Sequence, residues 1–201
     1  MEKSISGVLG ILVMALISCS GSGSSRADME AQINRVQAAL GQARSWHISS
    51  TFAANGGVAQ LEEDVGCPFN YHRVGRVPGR LPDEIIHLES GYYSHEDGQW
   101  TLLHPPANDY CKDGPQAGTF PLAETLERLK PEMSIAKREL QVIGGVSCRN
   151  YDLIGLESPH YKLGSLCIDE QTNLPVEYRR DKDVFQYSKW NEPVVLEPPI
   201  P

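Results

Sequence analysis

The stretch that decides the fold lies near the end of the chain and reads Tyr187-Ser188-Lys189-Trp190-Asn191-Glu192-Pro193-Val194. It finishes a predicted β-strand from Val184 to Trp190, because aromatic and β-branched residues favour the pleated, half-buried surface of a sheet. A proline-rich tail follows Asn191, and proline cannot donate a hydrogen bond to a strand ladder. The chain is therefore expected to end on a strand and then leave the sheet.

A second strand signal lies early in the chain, from Trp46 to Phe52. Apolar and small side chains alternate there with His47, Ser49 and Thr51, a period of two that indicates a half-buried strand. The run Asn55-Gly56-Gly57 marks a turn, and paired turn residues mark hairpins further along, at Asp97-Gly98 and Gly144-Gly145. The remaining strand predictions cover residues 58–64, 67–74, 85–88, 91–94, 99–103, 139–143, 146–154, 164–169 and 174–180.

Two helices are predicted beside these strands. Asp28 is placed to cap the first, and one face carries an apolar stripe at three- and four-residue steps. That stripe consists of Met29, Ile33, Val36, Leu40 and Ala43. The second helix is short, running from Pro121 to Leu129, with Pro131 ending it. Strands outnumber helices, so the predicted class is α+β.

The N-terminus carries an export signal. Residues 5–17 are almost wholly apolar, which is the length of a signal-peptide core and shorter than the roughly 20 residues that span a bilayer. The run Leu16-Ile17-Ser18-Cys19 resembles the lipobox of bacterial lipoproteins. That resemblance implies cleavage of residues 1–18 and acylation of Cys19. The alternative is a buried apolar helix with a chance cysteine.

Residues 19–27 then form the acylated cysteine and a Gly/Ser tether, of a composition that behaves as a flexible coil. The expected location is the cell envelope, with the acyl chains in a membrane. Ser20 stands where enterobacterial lipoproteins of the inner membrane carry aspartate. The resemblance therefore implies the outer membrane if the cell is Gram-negative.

Charge limits the classes of partner. The formal net charge is −8 over 201 residues, and the sequence has no cluster of Lys and Arg, so binding to nucleic acid is not expected. About 175 residues beyond the tether suit one domain with a core of its own.

Four cysteines remain after Cys19, an even number that indicates disulfides in an exported chain and allows three pairings. Cys148 and Cys167 lie on consecutive predicted strands and are expected to face each other. Cys67 and Cys111 are then left to pair. The spacing is not that of a zinc site, and the six histidines are scattered along the chain, so we interpret them as individually solvated.

No catalytic motif is present in the sequence. The acidic run Glu62-Glu63-Asp64 is interpreted as a solvated strand face or turn. No serine stands in a Gly-x-Ser-x-Gly elbow, and no glycine-rich phosphate loop leads from a strand into a helix. We expect no enzyme activity, no cofactor and no metal.

Three local runs resemble a known family when they are taken in order. They are Gly91-Tyr92-Tyr93 with Gly98-Gln99-Trp100, Cys167-Ile168-Asp169 with Asn173-Leu174-Pro175, and the closing run from Tyr187 to Val194. Together they resemble the lipoprotein carriers LolA and LolB and the mycobacterial lipoproteins LppX and LprG. The resemblance covers residues 28–198, leaving 199–201 as a tail. It implies a curved antiparallel half-barrel, with both helices packed on the concave face.

The same resemblance implies a function. The chain is expected to bind an amphiphile, such as a lipid, an acyl chain or a lipidated molecule, in the concavity of the sheet. The candidate cleft residues are Trp46, Ile48, Phe52, Trp100, Phe185 and Tyr187. The alternative is a docking or structural lipoprotein with a filled core and a protein partner, whose identity the sequence does not indicate.

Overall fold

The structure is a computed structural model that describes residues 26–103, 126, 133–155 and 162–200. Within these residues the chain forms one long helix and one antiparallel sheet of 11 strands. The elements are α1 (Arg26–Gln42), β1 (Ser45–Ala54), β2 (Gly57–Gly66), β3 (Asn70–Arg76), β4 (Asp83–Leu88), β5 (Gly91–Glu96), β6 (Gln99–Leu103), β7 (Met133–Ile143), β8 (Val146–Gly155), β9 (Lys162–Asp169), β10 (Pro175–Arg180) and β11 (Asp183–Ser188).

The sheet consists of two meanders joined at one seam. Its strand order is β6-β5-β4-β3-β2-β1-β11-β10-β9-β8-β7, so each strand pairs with its sequence neighbour except where β1 meets β11. At this seam Ile48 lies opposite Tyr187. The outermost strands, β6 and β7, do not pair with each other, and the sheet is open. This arrangement is consistent with the expected half-barrel.

Two-residue turns set the register of the hairpins, as the sequence predicts. Asn55 and Gly56 both have positive φ, as do Asp97 with Gly98 and Gly144 with Gly145. Positive φ at both central residues matches the twist of the strands that such a turn connects. The register in turn decides which side chains share a face of the sheet.

Two strands begin three or more residues away from their predicted starts, and β11 ends at Ser188 and not at the predicted Trp190. Strand β7 begins at Met133, not at Glu139, and has an irregularity between Lys137 and Leu140. The charged run from Lys137 to Glu139 hides the alternation, and such charges are common on edge strands. Strand β3 begins at Asn70, because the predicted start at Cys67 lies in the turn after β2.

Helix α1 covers one side of the sheet and defines its two faces. We call the side that it covers the helix-side face and the opposite side the outer face. The predicted apolar stripe of α1 is buried, from Met29 at 4% exposed to Val36 at 1%. It packs against Trp46, Ile48, Val65, Tyr71, Ile135, Tyr151, Leu153, Leu166, Ile168, Tyr178 and Tyr187. These sheet residues come from eight strands, and together with α1 they form the main core.

The C-terminal tail packs on the outer face. Leu196 and Ile200 contact a second, smaller core that contains Ile86 and Tyr93. The Asn70 side-chain amide donates a hydrogen bond to the backbone oxygen of Val194, 2.9 Å away. The tail therefore covers outer-face apolar residues of β4 and β5 that would otherwise contact water.

Several sequence predictions fall outside the described residues: the signal peptide 1–18, Cys19, the tether up to residue 25, Cys111 and the last residue, Pro201. Of the predicted helix 121–129, only Leu126 is described. It has helical conformation and is 1% exposed in the main core. The placement of that helix remains an expectation.

Candidate functional site

The helix-side face has two halves, and the apolar centre of the half under α1 is filled. Among the described residues, the space between α1, Leu126 and strands β7 to β9 has a volume of about 10 Å³. A volume of that size holds about one water molecule. Its walls are mostly apolar and include Ile33, Val36 and Leu153. An acyl chain does not fit in this space unless side chains move.

The predicted cleft residues divide between the two faces. Trp46, Ile48 and Tyr187 lie in the main core at 1%, 1% and 4% exposed. Phe52 and Phe185 lie on the same face and are half-buried. Trp100 lies on the outer face and packs against the second core. The expectation that Trp100 shares a cleft with the other five is therefore wrong, because its register opposite His95 turns it away from α1.

The other half of the helix-side face, on β1 to β5, keeps apolar side chains in partial contact with solvent. Phe52, Leu61, Ile85 and Tyr92 are all half-buried there. The strand registers place them on adjoining rows of one face. We call these four residues, together with Arg73, the helix-side patch. It offers apolar surface that a ligand could cover without displacing α1.

A buried carboxyl group borders the helix-side patch. Glu63 is 6% exposed and accepts a hydrogen bond from the Tyr71 hydroxyl at 2.5 Å. Burial raises the pKa of Glu63, while the Tyr71 hydrogen bond and the charge of Arg73 oppose the shift. The acidic run is therefore not one solvated face, since its central residue points into the protein.

Arg73 brings a cation to the same face. Its Nη2 atom lies 2.6 Å from Oδ2 of Asp83. Its Nε atom is buried and has no hydrogen-bond partner among the described residues. The register pairs Arg73 with Glu63 on one side and Ile85 on the other. A charged donor thus adjoins apolar surface, an arrangement that suits a ligand with both polar and apolar parts.

A row of alternating imidazole and carboxylate groups crosses the outer face of β1 to β4. His47 lies 2.7 Å from Asp64 and 3.0 Å from Glu62. His72 lies 2.7 Å from Glu84 and 4.0 Å from Asp64. The interpretation of these histidines as individually solvated is therefore wrong. The alternation of the strands places these histidines and carboxylates on one face. The contacts between them depend on the hairpin register, which the sequence alone does not give.

A third histidine is buried on the helix-side face. His87 is 2% exposed, and burial lowers its pKa. It stands edge-on to the Tyr92 ring, with ring centroids 5.9 Å apart. Among the described residues, no group of three His, Cys, Asp or Glu side chains is arranged to hold a metal ion.

A disulfide joins Cys148 and Cys167, with a Cα–Cα distance of 5.5 Å. This is the predicted pairing, although the register sets Cys167 opposite Asn150, so that the bridge runs diagonally. Cys67 is also disulfide-bonded, and its partner lies outside the described residues. The Cys67–Cys111 pairing remains a prediction.

The closing run holds the seam of the sheet in place. The Trp190 indole donates a hydrogen bond to the backbone oxygen of Pro175 at 3.0 Å, and its ring lies 6.2 Å from that of Trp46. The Asn191 side chain accepts a hydrogen bond from the Arg44 N–H at 2.8 Å, across 147 positions of sequence. These contacts explain why this stretch indicates the fold: it locks the last strand to the first.

In the part of the chain that the structure describes, no helix combines the length and apolarity needed to cross a bilayer. No protein-family model matches the chain, and no match was found among curated proteins.

Solved structures give a match to the fold. LprF from Mycobacterium bovis is 14% identical, with a TM-score of 0.55, and the match covers 89% of this chain and 99% of that one. The Mycobacterium tuberculosis lipoprotein LppX is 14% identical, with a TM-score of 0.52, and the match covers 85% of this chain and 99% of that one. Identities this low establish the architecture alone. The chain therefore shares the fold of LprF and LppX.

Proposed function

We propose that the protein is an exported, lipid-anchored lipoprotein of the cell envelope, and that it binds an amphiphile on the helix-side face without catalysing a reaction. One structural neighbour, LppX, is itself described as a lipoprotein. Cys19 is the proposed site of acylation, and the outer membrane is the proposed location if the cell is Gram-negative. The ligand class is a lipid, an acyl chain or a lipidated molecule.

The observation that carries the proposal is the helix-side patch. Phe52, Leu61 and Ile85 are half-buried apolar residues on the face that α1 leaves partly open. Covering an acyl chain contributes about 0.8 kcal/mol per buried methylene, so contact with eight methylenes supplies roughly 6 kcal/mol before ordering costs. Arg73 within the patch and the buried Glu63 beside it offer polar contacts for a headgroup.

The packed space under α1 favours a second candidate function. Because it has a volume of only about 10 Å³, the main core is filled as in a docking or structural lipoprotein. Such a protein would use its surface to hold a protein partner and would carry no lipid inside. The two candidates differ in whether the isolated protein retains a bound amphiphile.

Native mass spectrometry of the full-length protein after gentle extraction tests the proposal. We expect an additional mass from a non-covalently bound lipid, lost in Leu61→Asp because a carboxylate in the patch opposes apolar contact. Val58→Asp is the matched control, since Val58 lies on the same strand but is 64% exposed. Circular dichroism checks that both variants fold, and Ile85→Asp replaces Leu61→Asp if the latter does not.

A fluorescent fatty-acid displacement assay measures how tightly the same proposed site binds its ligand. Saturable binding that Leu61→Asp weakens and Val58→Asp leaves unchanged would support the amphiphile function. Absence of bound lipid in the wild-type protein, together with no saturable displacement, would leave the docking function in its place.

A further inference from the structure

A groove on the outer face is separate from the helix-side patch. It has a volume of about 460 Å³, within the range of small-molecule sites. It lies where β11 ends and β10 begins, on the side of the sheet away from α1. The tip of the β7–β8 hairpin, from Ile143 to Val146, forms one wall, and Lys189 with Trp190 forms the other. We call this space the outer groove.

The floor of the outer groove is apolar, and a disulfide holds it in place. Val176 belongs to a small outer-face core with Cys148 and Cys167, and Ile143 packs against the same core. The disulfide therefore fixes the floor relative to the hairpin wall. Pro175 and Leu174, which are both buried, line the groove between Val176 and Trp190. Val146 remains 42% exposed, so its apolar surface is open to a ligand.

Most polar groups around the outer groove are already engaged within the protein. Both ring nitrogens of His47 contact carboxylates, and the Ser49 hydroxyl donates to Glu62. The Gln186 amide donates to Glu177, a carboxylate that also pairs with Arg179. These groups therefore do not need a ligand to satisfy their hydrogen bonds.

Asp169, at the edge of the groove, is engaged by its own turn. Its Oδ1 atom accepts from the Gln171 N–H at 2.9 Å, and its Oδ2 atom accepts from the Thr172 hydroxyl at 2.8 Å. This carboxylate is therefore tied to the β9–β10 connection. Its hydrogen bonds are satisfied without a ligand.

Two polar side chains of the groove wall have no hydrogen-bond or ion-pair partner among the described residues. Ser188 and Lys189 line the groove side by side, and both are exposed. Neither side chain makes a hydrogen bond or ion pair to another described residue. A lysine ammonium without an ion-pair partner, beside an apolar floor, is complementary to a ligand with an apolar body and one anionic end.

We infer that the outer groove is a second binding site, and that it takes an aliphatic carboxylate. The chain of the ligand lies on Val176 and the hairpin wall, and its carboxylate lies toward Ser188 and Lys189. This site is independent of the helix-side patch, because the two are on opposite faces of the sheet. It does not depend on the proposed amphiphile function.

Photo-crosslinking of the full-length protein with a diazirine-bearing dodecanoate tests the inference, with peptide mapping of the adducts. We expect adducts in residues 143–146 and 174–176. Val146→Asp should reduce labelling there about tenfold, the equivalent of about 1.4 kcal/mol of lost contact. Val58→Asp, an exposed outer-face position away from the groove, is the matched control.

The role of charge is tested with Lys189→Glu, with Lys182→Glu on the exposed β10–β11 turn as the control. Lys189→Glu should weaken labelling by dodecanoate but not by a photoreactive dodecyltrimethylammonium of the same chain length. Adducts confined to peptides that contain Phe52, Leu61 or Ile85 would overturn the inference while supporting the helix-side site. Equal losses in Val146→Asp and Val58→Asp, or equal losses for both probes in Lys189→Glu, would also overturn it.

Discussion

At the scale of single residues, the two-residue period of a strand places neighbours of the same chemical type on opposite faces of the sheet. Glu62 and Asp64 face outward and contact His47, whereas Glu63 between them is buried against Tyr71. The sequence predicts that alternate residues share a face of the strand. It does not show whether Glu63 or its two neighbours face α1, because three carboxylates in a row include no apolar residue to mark the buried side. The face of the sheet on which Trp100 lies is equally hard to predict from the sequence, because it depends on the register of the hairpin.

Glu63→Gln should flatten the pH dependence of stability. Burial raises the pKa of Glu63 above its ordinary value of 4.5, so the folded protein holds this proton more tightly than the unfolded chain does. Its contribution to the free energy of unfolding is therefore greatest below pH 4.5 and falls as the pH rises through the raised folded-state pKa. Glutamine keeps an acceptor for the Tyr71 hydroxyl without the charge.

Urea unfolding of wild type and variant from about pH 4 to pH 8 measures this effect. The difference between the two proteins cancels the titration of the histidines that they share. Glu89→Gln, at an exposed position, should follow the wild type. A Glu63→Gln curve parallel to wild type throughout would show that the carboxyl does not titrate differently in the folded state.

At the scale of elements, the sequence predicts the strands well wherever a turn signal bounds them. Asn55-Gly56, Asp97-Gly98 and Gly144-Gly145 each adopt the positive φ that a two-residue hairpin requires. The predicted start of β7 is six residues late, because the charges from Lys137 to Glu139 interrupt the alternating pattern. The sequence predicts the α1 stripe because its apolar residues recur at three- and four-residue steps, the period of a helix, over its whole length.

Replacing both Cys148 and Cys167 by alanine should destabilise the protein by about 3 kcal/mol, since their sequence separation of 19 closes a loop of that order. Denaturant unfolding of the double variant without reductant measures the loss. Adding reductant to the variant then reports only on the remaining disulfide of Cys67. An unchanged unfolding midpoint in the non-reduced double variant would contradict the expectation.

At the scale of the whole molecule, the fold was predictable because the order of several weak motifs agrees with one architecture. The binding surface was less predictable. Whether a side chain lines a cleft or fills a core depends on how far α1 covers the sheet, which residues such as Trp46 and Phe52 do not reveal by type. The structure places Trp46 in the filled half and leaves Phe52 half-buried.

Cys19→Ser should yield an unprocessed precursor that fails to reach its membrane, because the proposed acylation needs the cysteine sulfur. Intact mass and partition into a detergent phase measure processing and anchoring. Ser24→Ala, a neutral change in the proposed tether, should be cleaved and anchored normally. Normal cleavage and detergent partition of Cys19→Ser would contradict the lipid anchor.

The seam between β1 and β11 sets the order in which the chain completes its fold. All other strand pairs join sequence neighbours in the sheet order, so each meander has local partners soon after synthesis. The seam instead waits for residues such as Asn191, 147 positions after Arg44, and pairings this distant slow folding. Until β11 arrives, one edge of β1 has no strand beside it. A nascent or translocating chain thus presents a strand edge open to wrong partners, and escort by a chaperone would be of most use in that interval.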